Sequence, residues 1–567
     1  MFVIATAGHV DHGKSTLVHR LTGMWPDRLA EEQRRGLTID LGFAWTDLDG
    51  RQVAFVDVPG HERFVANMLA GVGAVPAASP VLFVVAATEG WMPQSTEHLA
   101  ALNALGVSHA LLVISKADLA DPAVAIEQAR HQFAATSLAD PPVALGTELD
   151  QVRAELGSLL DRLPPPDRAA DVRLWVDRSF TVRGAGTVVT GTLTAGTVRV
   201  GDELDHAGRR VTVRGLQTLG REVTEVGAVA RVAINLRGVD RHDIRRGDAV
   251  RTPGAWLDSA EIDVALRKPD NLHRELVLHV GSAAVPVHVR PLGTTGARLR
   301  LARPLPLRVG DAGLLRDPGE HRIAAGIEVL DVRPPALRRR GAARARAEEL
   351  ASGSVRPPAY ARAAQLRAMG VAPAGQRVGD WVVDPQWWAR RRELAVAAVQ
   401  RWAADHDVAA GMPLETLRQQ LGLPAAELVA VLVDGTGLEV SDGVVRPPGA
   451  GLPARVDKAV RTVEEWLAED PFRAPEAAEL AELRLGPREL AAAVRAGRLQ
   501  RIADGIVLGP DAFERARQIL AALPQPFTVS DARRALRTTR RVAVPLLEQL
   551  DARRITRRAS DSSRTVV

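Results

Sequence analysis

Residues 8–15 read GHVDHGKS, which matches the phosphate-loop pattern GxxxxGKS in full. The loop follows an apolar, β-favouring segment, FVIATA, so that a strand, a glycine-rich turn and a helix N-terminus are expected in succession. That succession points backbone N–H groups at a bound phosphate chain. Lys14 would reach the β- and γ-phosphates, and the hydroxyl of Ser15 would ligate Mg²⁺. The pattern predicts that the chain binds a nucleoside triphosphate.

Two segments downstream carry groups that belong to the same chemistry. Residues 53–61, VAFVDVPGH, form an apolar strand that ends in DxxG. Asp57 can hold the Mg²⁺ shell through water there, and the Gly60 N–H can bond the γ-phosphate. Between this strand and the phosphate loop lies RGLTID, in which Thr38 is placed to close over Mg²⁺ and the γ-phosphate. Such a segment orders with the triphosphate and loosens after hydrolysis, so we expect a nucleotide-dependent switch.

Two further apolar strands, VLFVVAATEG and ALLVISKADL, indicate which base is bound. The second ends in a KxD, in which Asp118 would accept hydrogen bonds from guanine N1 and N2 while the Lys116 stem packs along the base. The order and strand-end positions of these motifs predict a GTPase. The expected nucleotide contacts are Gly8, His9, Val10, Asp11, His12, Gly13, Lys14, Ser15, Thr16, Asp57, Gly60, Ser115, Lys116 and Asp118. The expected Mg²⁺ ligands are Ser15, Thr38 and Asp57.

Composition is typical of a large protein with several domains. The chain has 567 residues and no cysteine, which excludes disulfides, thiolate metal sites and cysteine nucleophiles. Its first residues lie in the first predicted strand and show no charged n-region or cleavage signal, so we expect neither export nor targeting. No apolar run reaches the roughly 20 residues that a bilayer-spanning helix needs. We therefore expect a cytoplasmic protein.

The strings GHVDHGKS, RGLTID and DVPGHERF resemble those of the translational GTPases, the family that includes elongation factor Tu. The resemblance implies that Thr38 is the switch threonine and that His61 orients the attacking water once the ribosome engages the factor. It also implies that Asp11 helps to place a monovalent cation and that Val10 and Leu37 form an apolar gate beside the histidine. The catalytic residues expected on this basis are His61, Thr38 and Lys14.

The guanine motif departs from the pattern of that family. The family usually has NKxD or TKxD, whereas this chain has SKAD, so that Ser115 replaces a larger side chain. The last guanine motif is left unassigned, and PPVALG at residues 141–146 is its best candidate.

Beyond an amphipathic helix and the break PPPD at residues 164–167, the pattern changes to short alternating strands separated by glycine. Turns recur about every eight to twelve residues, which predicts a small antiparallel barrel. A second strand-rich segment, from about 257 to 332, predicts another barrel. The phrase GAGTVVTGTL resembles the second domain of elongation factor Tu, so two barrels after the GTPase domain are expected.

Three charged residues of the first barrel match positions of the aminoacyl pocket in the selenocysteine-specific elongation factors. They are Asp177 and Arg178 in WVDRSF, and Arg237 in INLRGVD. A selenol is acidic enough to be anionic at neutral pH, and arginine donors would favour that anion over a neutral serine hydroxyl. The alternative is a surface ion pair at the rim of the barrel.

An internal repeat follows the break RPPALRRR. The strings VGDWVVDP, VSDGVVRP and IADGIVLGP align, and their aspartates Asp380, Asp442 and Asp504 are each separated by 62 residues. Each copy has a helix pair before a strand–turn–strand whose DG or GD is a hairpin turn. A helix–turn–helix followed by a hairpin is a winged helix.

A fourth copy, from about residue 525 to 567, is the most basic. It has ten arginines and four acidic residues between Phe527 and Val567. Arginines at the start of the predicted recognition helix and on the wing would grip phosphates, and a solvated charged face is the alternative. The expected RNA-binding residues are Arg537, Arg540, Arg541, Arg557, Arg558 and Arg564.

The expected fold class is multidomain, with an α/β P-loop GTPase domain, two antiparallel β-barrels and four winged-helix domains in tandem. The expected boundaries are 1–166 for the GTPase domain, 167–256 and 257–334 for the barrels, and 335–388, 389–449, 450–511 and 512–567 for the winged helices.

This arrangement resembles that of the selenocysteine-specific elongation factors along the whole chain. The resemblance implies a GTPase, with Mg²⁺, that carries selenocysteyl-tRNA to the ribosome while its last winged helix holds an mRNA selenocysteine-insertion hairpin beside a recoded UGA codon. We expect a monomer that binds no membrane. Two alternatives stay open: a general aminoacyl- or initiator-tRNA GTPase, and a DNA-binding regulator gated by GTP.

Overall fold

A computed structural model of the chain describes residues 1–26, 40–59, 65–73, 79–353, 355, 357–406, 411–441, 443–447, 452–560 and 562–567. The chain divides into two compact units. The first comprises Met1–Ala374 and Asp380–Val382, and the second comprises Gly375–Gly379 and Val383–Val567. No helix in these described ranges combines the length and hydropathy needed to cross a bilayer.

The N-terminal part of the first unit is a six-stranded sheet with helices on its faces. Its strands are β1 (Phe2–Ala7), β2 (Gly42–Leu48), β3 (Arg51–Asp57), β4 (Val81–Ala86), β5 (Ala110–Ser115) and β6 (Val143–Leu145). Its helices are α1 (Lys14–Thr22), α2 (Val65–Gly73), α3 (Pro93–Ala104), α4 (Ala123–Phe133) and α5 (Leu149–Asp161).

The strand order in this sheet is β2-β3-β1-β4-β5-β6, with only the β2–β3 pair antiparallel. Strand β4 reads VLFVVA and is buried at every position, as a parallel strand covered on both faces requires. The sequence motifs follow the carboxyl ends of β1, β3 and β5, which meet at one edge of the sheet. The fold therefore brings the motifs together.

A first antiparallel barrel follows. Its strands are β7 (Arg173–Trp175), β8 (Arg178–Val182), β9 (Gly186–Leu193), β10 (Thr197–Arg199), β11 (Glu203–His206), β12 (Arg209–Thr218), β13 (Arg221–Val223), β14 (Glu225–Gly227), β15 (Ala230–Arg237) and β16 (Ala249–Arg251). The sheet runs β11-β16-β7-β9-β15-β12, and the pairing of β11 with β12 closes the ring. Buried and less buried residues alternate along β15, as expected for a barrel wall with one face in the core.

The second barrel closes in the order β17-β20-β19-β18-β21-β22. Its strands are β17 (Leu257–Arg267), β18 (Glu275–Val280), β19 (Ala283–Leu292), β20 (Gly296–Leu307), β21 (Ala312–Asp317) and β22 (Arg322–Asp331). In β19 the buried valines 285, 287 and 289 alternate with exposed Pro286, His288 and Arg290. The two predicted barrels are thus confirmed.

The C-terminal repeats are built from helices and short hairpins. The first copy contains α6 (Ala342–Ala351), β23 (Tyr360–Arg362), α7 (Ala363–Met369), β24 (Gln376–Val378) and β25 (Trp381–Val383). The second contains α8 (Pro385–Asp405), β26 (Met412–Pro413), α9 (Leu414–Leu421), α10 (Glu427–Val433), β27 (Glu439–Ser441) and β28 (Val444–Arg446).

The third copy contains α11 (Ala454–Glu469), α12 (Ala477–Glu482), α13 (Pro487–Arg495), β29 (Gln500–Ala503) and β30 (Ile506–Leu508). The fourth contains α14 (Ala512–Ala521), α15 (Val529–Ala535), α16 (Arg540–Ala552), β31 (Thr556–Arg558) and β32 (Arg564–Val566). Apolar residues of the third and fourth copies form one hydrophobic core.

The last three copies each have three helices before the hairpin, as a winged helix requires. The first copy differs, because α7 leads to β24 through residues 370–375, too few to add another helix. The repeated glycines lie in the hairpin turns with positive φ: 58° at Gly379, 74° at Gly443 and 68° at Gly505. Asp442 of the repeat lies outside the described residues.

Candidate functional site

The phosphate loop connects β1 to α1 at the carboxyl edge of the sheet. Gly8 has a φ of 126°, and a Cβ there would lie 2.2 Å from the carbonyl oxygen of Val84, so only glycine fits. Gly13 also has a positive φ, 79°. The side chain of Lys14 is buried, and its Nζ donates to the carbonyl oxygens of Gly8 at 3.0 Å and His9 at 2.6 Å. The loop thus carries a positive charge within its own turn.

The residues predicted to hold Mg²⁺ lie together beside this lysine. Ser15 Oγ donates to Asp57 Oδ2 at 2.7 Å, and Thr6 Oγ1 donates to Asp57 Oδ1 at 2.6 Å. Asp57 is fully buried at the end of β3. Mg²⁺ prefers oxygen ligands and keeps several waters. The hydroxyl of Ser15 and the carboxylate of Asp57 therefore fit a shared Mg²⁺ shell.

Two side chains of α3 hold the backbone of the loop. His98 Nδ1 accepts the Gly8 N–H at 3.1 Å, and Gln94 Oε1 accepts the Val10 N–H at 3.2 Å. Burial lowers the pKa of His98 to about 3, so the ring is neutral at physiological pH and keeps the lone pair that this bond uses. Burial likewise lowers the pKa of His12 to about 4. The sequence motifs gave no sign of His98 or Gln94, since both lie far from the loop along the chain.

The guanine motif sits at the end of β5. Ser115 Oγ donates to the carbonyl oxygen of His12 at 2.7 Å, so the serine ties this strand to the phosphate loop. Lys116 donates from Nζ to Glu89 Oε1 at 2.8 Å, and this hydrogen bond lowers the pKa of Glu89. Asp118 is exposed, and its carboxylate contacts no donor in the described part of the chain. The carboxylate is therefore available to a base.

The segment after β6 lies at the same edge. Gly146 donates its N–H to the carbonyl oxygen of Ile114 at 2.8 Å, and its own carbonyl accepts from Arg20 Nη1 at 2.7 Å. A Cβ on Gly146 would lie 3.3 Å from the Cα of Ser115. The stretch PPVALG therefore ends beside the guanine motif.

The remaining predicted residues of this site differ in how far the structure describes them. Leu37, Thr38, Gly60 and His61 lie outside the described residues. Asp11, with a φ of 62°, and Thr16 are exposed on the loop and the first turn of α1, and Val10 is half-buried.

A second cluster lies where the first barrel faces β2. The Phe43 ring centroid lies 4.0 Å from the guanidinium carbon of Arg231 and 5.1 Å from that of Arg178, within cation–π range. Asp177 is buried, and it accepts hydrogen bonds from Thr190 Oγ1 at 2.7 Å and from both terminal nitrogens of Arg231, one of them at 2.7 Å. Two guanidinium groups thus lie over one aromatic ring, and a buried carboxylate holds one of them.

Arg178 also links the barrel to the segment that follows Thr38. It donates from Nε to Asp40 Oδ2 at 3.1 Å and from Nη2 to the carbonyl oxygen of Leu41. Arg246 of the same barrel lies 3.5 Å from Asp40 and donates to Asn67 Oδ1 at 2.8 Å.

The prediction that Arg237 joins this cluster is wrong. Thr190 pairs with Arg178 on one side and with Ala233 on the other, and Arg237 lies four residues farther along β15, roughly 13 Å away. It is exposed at the end of the strand. Arg231, two residues before Ala233, occupies the position expected for Arg237.

The arginines predicted to bind RNA fall into two groups. Arg537 precedes α16, Arg540 begins it, and Arg557 and Arg558 lie on β31; all four are exposed. They form the basic surface of the fourth copy.

Two of the predicted RNA-binding arginines have structural partners. Arg564 is buried, and its Nε donates to Asp551 Oδ2 at 2.8 Å, so its assignment to the RNA surface is wrong. Arg541 turns toward the third copy, where it donates to the Pro475 carbonyl at 3.0 Å and pairs with Glu476 at 3.3 Å. Its guanidinium joins the two copies.

Three family models match the chain. The elongation factor Tu GTP-binding domain matches residues 1–166, and elongation factor Tu domain 2 matches residues 186–250. The winged helix of elongation factor SelB matches residues 518–564. These matches cover the phosphate-loop domain, most of the first barrel and the basic fourth copy.

Among known proteins, the selenocysteine-specific elongation factor of Escherichia coli (strain K12) is 38% identical over 347 residues, 59% of this chain and 56% of that protein. The chain thus spans about half the length of the curated relatives of this kind that it matches. Elongation factor Tu 2 of Streptomyces avermitilis is 36% identical over 291 residues, which cover 45% of this chain and 73% of that protein.

One solved structure matches the chain from end to end. The crystal structure of the bacterial selenocysteine-specific elongation factor EF-Sec superimposes with a TM-score of 0.76 at 25% identity, and the match covers 100% of this chain and 99% of that one. The chain belongs to the elongation factor Tu family of translational GTPases, and along its whole length it is similar to a selenocysteine-specific elongation factor.

Proposed function

We propose that the chain is a GTP-hydrolysing elongation factor that delivers selenocysteyl-tRNA to the ribosome at recoded UGA codons. The observation that carries this proposal is the pair of guanidinium groups around Phe43, in a chain whose phosphate loop and guanine motif meet at one edge of the sheet. Similarity to selenocysteine-specific elongation factors supports the choice of amino acid. We place the protein in the cytoplasm as a monomer.

The phosphate loop and the guanine motif would bind GTP. Lys14 would exchange the carbonyl oxygens of its own loop for phosphate oxygens, and Asp118 would accept the guanine N–H groups. Mg²⁺, held by Ser15 and by Asp57 through water, would neutralise charge on the phosphates. By resemblance, Thr38 would close over the site and His61 would orient the attacking water, and Asp11 would help to place a monovalent cation.

The cluster around Phe43 would receive the aminoacyl end of the tRNA. Its two arginines are held by Asp177 and Asp40, so their planes are fixed before the ligand arrives. A selenolate could accept hydrogen bonds from Arg178 and Arg231, whereas a neutral serine hydroxyl would gain less from two cations. The cluster would therefore favour selenocysteine.

The basic surface of the fourth copy would hold the mRNA hairpin. Arg537, Arg540, Arg557 and Arg558 present exposed guanidinium groups at the start of a helix and on a wing. Such groups bind phosphates and stack on unpaired bases. Hairpin binding would bring the carried tRNA to the recoded codon.

A pull-down in the presence of GTP tests the proposal. The full chain should recover selenocysteyl-tRNA and leave seryl-tRNA of the same sequence unbound. Equal recovery of all aminoacyl-tRNAs would instead support the general tRNA GTPase. Failure to bind any tRNA, together with tight binding of duplex DNA, would support the DNA-binding regulator.

A further inference from the structure

Four exposed arginines lie on the connection between the second barrel and α6. They are Arg333, Arg338, Arg339 and Arg340. In the described part of the chain none of these four guanidinium groups has a hydrogen bond or an ion pair. Barrel arginines elsewhere are commonly paired, as Arg173 is with Asp311 at 2.6 Å. Four positive charges without a partner among the described residues thus lie within eight consecutive residues.

The backbone that carries these arginines is held in place at its start. Pro334 and Pro335 restrict its φ angles. The buried Arg298 of β20 donates to the carbonyl oxygen of Pro335 at 2.8 Å, and Asp331 accepts the N–H of Arg333 at 2.8 Å.

The far end of the connection is anchored by a buried ion network. Arg346 of α6 donates to Asp263 Oδ2 at 2.7 Å, to Asp331 Oδ2 at 2.5 Å and to Glu349 Oε2 at 2.8 Å. Asp263, which is fully buried, also accepts from Arg298 Nε at 2.7 Å. Both ends of the arginine segment are therefore fixed to the barrel, so little backbone entropy is lost when a ligand binds.

The neighbouring barrel surface adds positive charge. Arg290 pairs across the sheet with Arg298, so both point to the same face, and Arg300 lies on that face two residues along β20. Arg290 and Arg300 are exposed. Glu261 is the acidic residue opposite Arg300 in β17, and it pairs with Arg298 at 3.3 Å. Asp263 and Glu261 neutralise Arg298, so Arg290 and Arg300 are the exposed positive charges of this face.

We propose that the arginines of residues 333–340 bind backbone phosphates of the tRNA that the factor carries. This rests on the proposed function. Guanidinium groups bind phosphate oxygens in pairs, and an unpaired exposed array loses no ion pair when it does so. Helical RNA presents phosphates and 2′-hydroxyls rather than readable bases, which suits an array without aromatic side chains.

Position in the chain favours the tRNA over the mRNA hairpin. The arginine segment of residues 333–340 belongs to the first compact unit, which also holds the nucleotide site and the residues around Phe43. The basic surface of the fourth copy belongs to the second unit. The arginine segment lies outside the residues that the three family models match. The similarity to elongation factor Tu 2 extends over 45% of this chain.

A charge-matched pair of variants tests this inference in the full-length, GTP-bound chain. The test variant is R338Q/R339Q/R340Q. The control is R199Q/R209Q/R344Q, which removes three exposed arginines that pair with Glu225, Asp243 and Glu348. Filter binding of selenocysteyl-tRNA is measured between low and physiological salt, and thermal melting checks the fold.

The test variant should bind the tRNA about tenfold more weakly, and the slope of log affinity against log salt should become shallower by about two. The control should change the affinity by less than about twofold, and the affinity of both for the mRNA hairpin should be unchanged. A folded test variant with the wild-type affinity and slope would overturn this inference alone. A test variant that loses hairpin affinity but keeps tRNA affinity would also overturn it. If the wild-type chain binds no tRNA, the proposed function fails as well.

Discussion

The phosphate loop and the fourth winged-helix copy both offer positive charge to phosphate, but they differ in burial. Lys14 is 6% exposed and already bonded to two carbonyl oxygens of its loop. Arg540 and Arg557 are exposed and stand on the surface of a small domain. A buried cation has a fixed position and little screening, whereas an exposed one is screened by salt.

This difference in burial distinguishes a site that fixes its ligand with donors already in place from a surface that attracts its ligand by charge. At the phosphate loop the donors are placed before the nucleotide arrives, so binding depends on each of them. On the fourth copy each guanidinium would contribute a modest, salt-dependent share to the proposed RNA binding, so we expect no single one to be indispensable. The arginines around Phe43 lie between these limits, because Arg231 is largely buried but sits at a barrel surface.

The largest effect is expected from Lys14→Ala. Loss of two charged hydrogen bonds to phosphate should weaken GTP binding by at least about a hundredfold. Fluorescent GTP-analogue titration measures this change. Lys458→Ala, which removes an exposed lysine of α11, is the control and should bind like the wild type. Comparable GTP affinity in the two variants would contradict the claim that the buried lysine matters more for binding than the exposed one.

Arg231→Gln should reduce the preference for selenocysteyl-tRNA over seryl-tRNA by about thirtyfold, since one charge-assisted hydrogen bond to the anion is lost. Competition binding in GTP measures the ratio. Arg237→Gln, six residues along the same strand, should leave the ratio unchanged. If Arg237→Gln lowered the ratio and Arg231→Gln left it unchanged, Arg237 would be the pocket residue.

The buried histidine beneath the loop predicts a pH dependence. The pKa of His98 is about 3 in the folded chain and about 6.5 when unfolded, so the unfolded state binds more protons between these values. Stability is therefore lost as pH falls below about 6.5, and at pH 5 the loss from this group is about 2 kcal/mol. His98→Gln, which does not titrate, should show a shallower loss.

Hydrogen exchange of the β1 and β4 amides at pH 7 and pH 5 measures the free energy of local opening. Since His12 titrates in both proteins, only the difference between wild type and His98→Gln reports on His98. Parallel losses in the two proteins would show that His98 is not held neutral by burial.

The smallest effect is expected on the fourth copy. Arg540→Gln with Arg557→Gln should weaken mRNA-hairpin binding about fivefold at physiological salt and make the salt slope shallower by about one and a half. Arg534→Gln, which removes an exposed arginine paired with Asp531, is the control. A loss that did not vary with salt would place these two arginines in a buried contact, and the contrast with Lys14 would disappear.

The nucleotide site could be predicted from the sequence because its parts are local. Gly8, Gly13, Lys14 and Ser15 fall within one turn, and the DxxG and guanine motifs each follow the end of an apolar strand. Strands of a parallel sheet place their carboxyl ends at one edge, so the sequence order of the motifs was enough to bring them together. Helices, barrels and hairpins likewise followed from periodicity and from glycine turns.

Some positions depended on register and burial, which a single sequence does not carry. Arg231 and Arg237 lie on one strand with similar neighbours. Only the pairing of that strand with β9 shows that Arg231 is the one that lies beside Asp177. Arg564 lies on the wing as predicted, but its side chain is buried and pairs with Asp551. The first repeat copy shared the hairpin signature without the full helix set.

The sequence by itself therefore determined the chemistry of nucleotide binding, the order of the domains and the basic character of the last repeat. Tertiary structure decided which arginines are paired and buried and which are left open to solvent, and it supplied His98 and Gln94 beneath the loop. The physical reason is distance along the chain. Local backbone geometry is determined by neighbouring residues, whereas an ion pair between distant strands forms only once the fold has set their register.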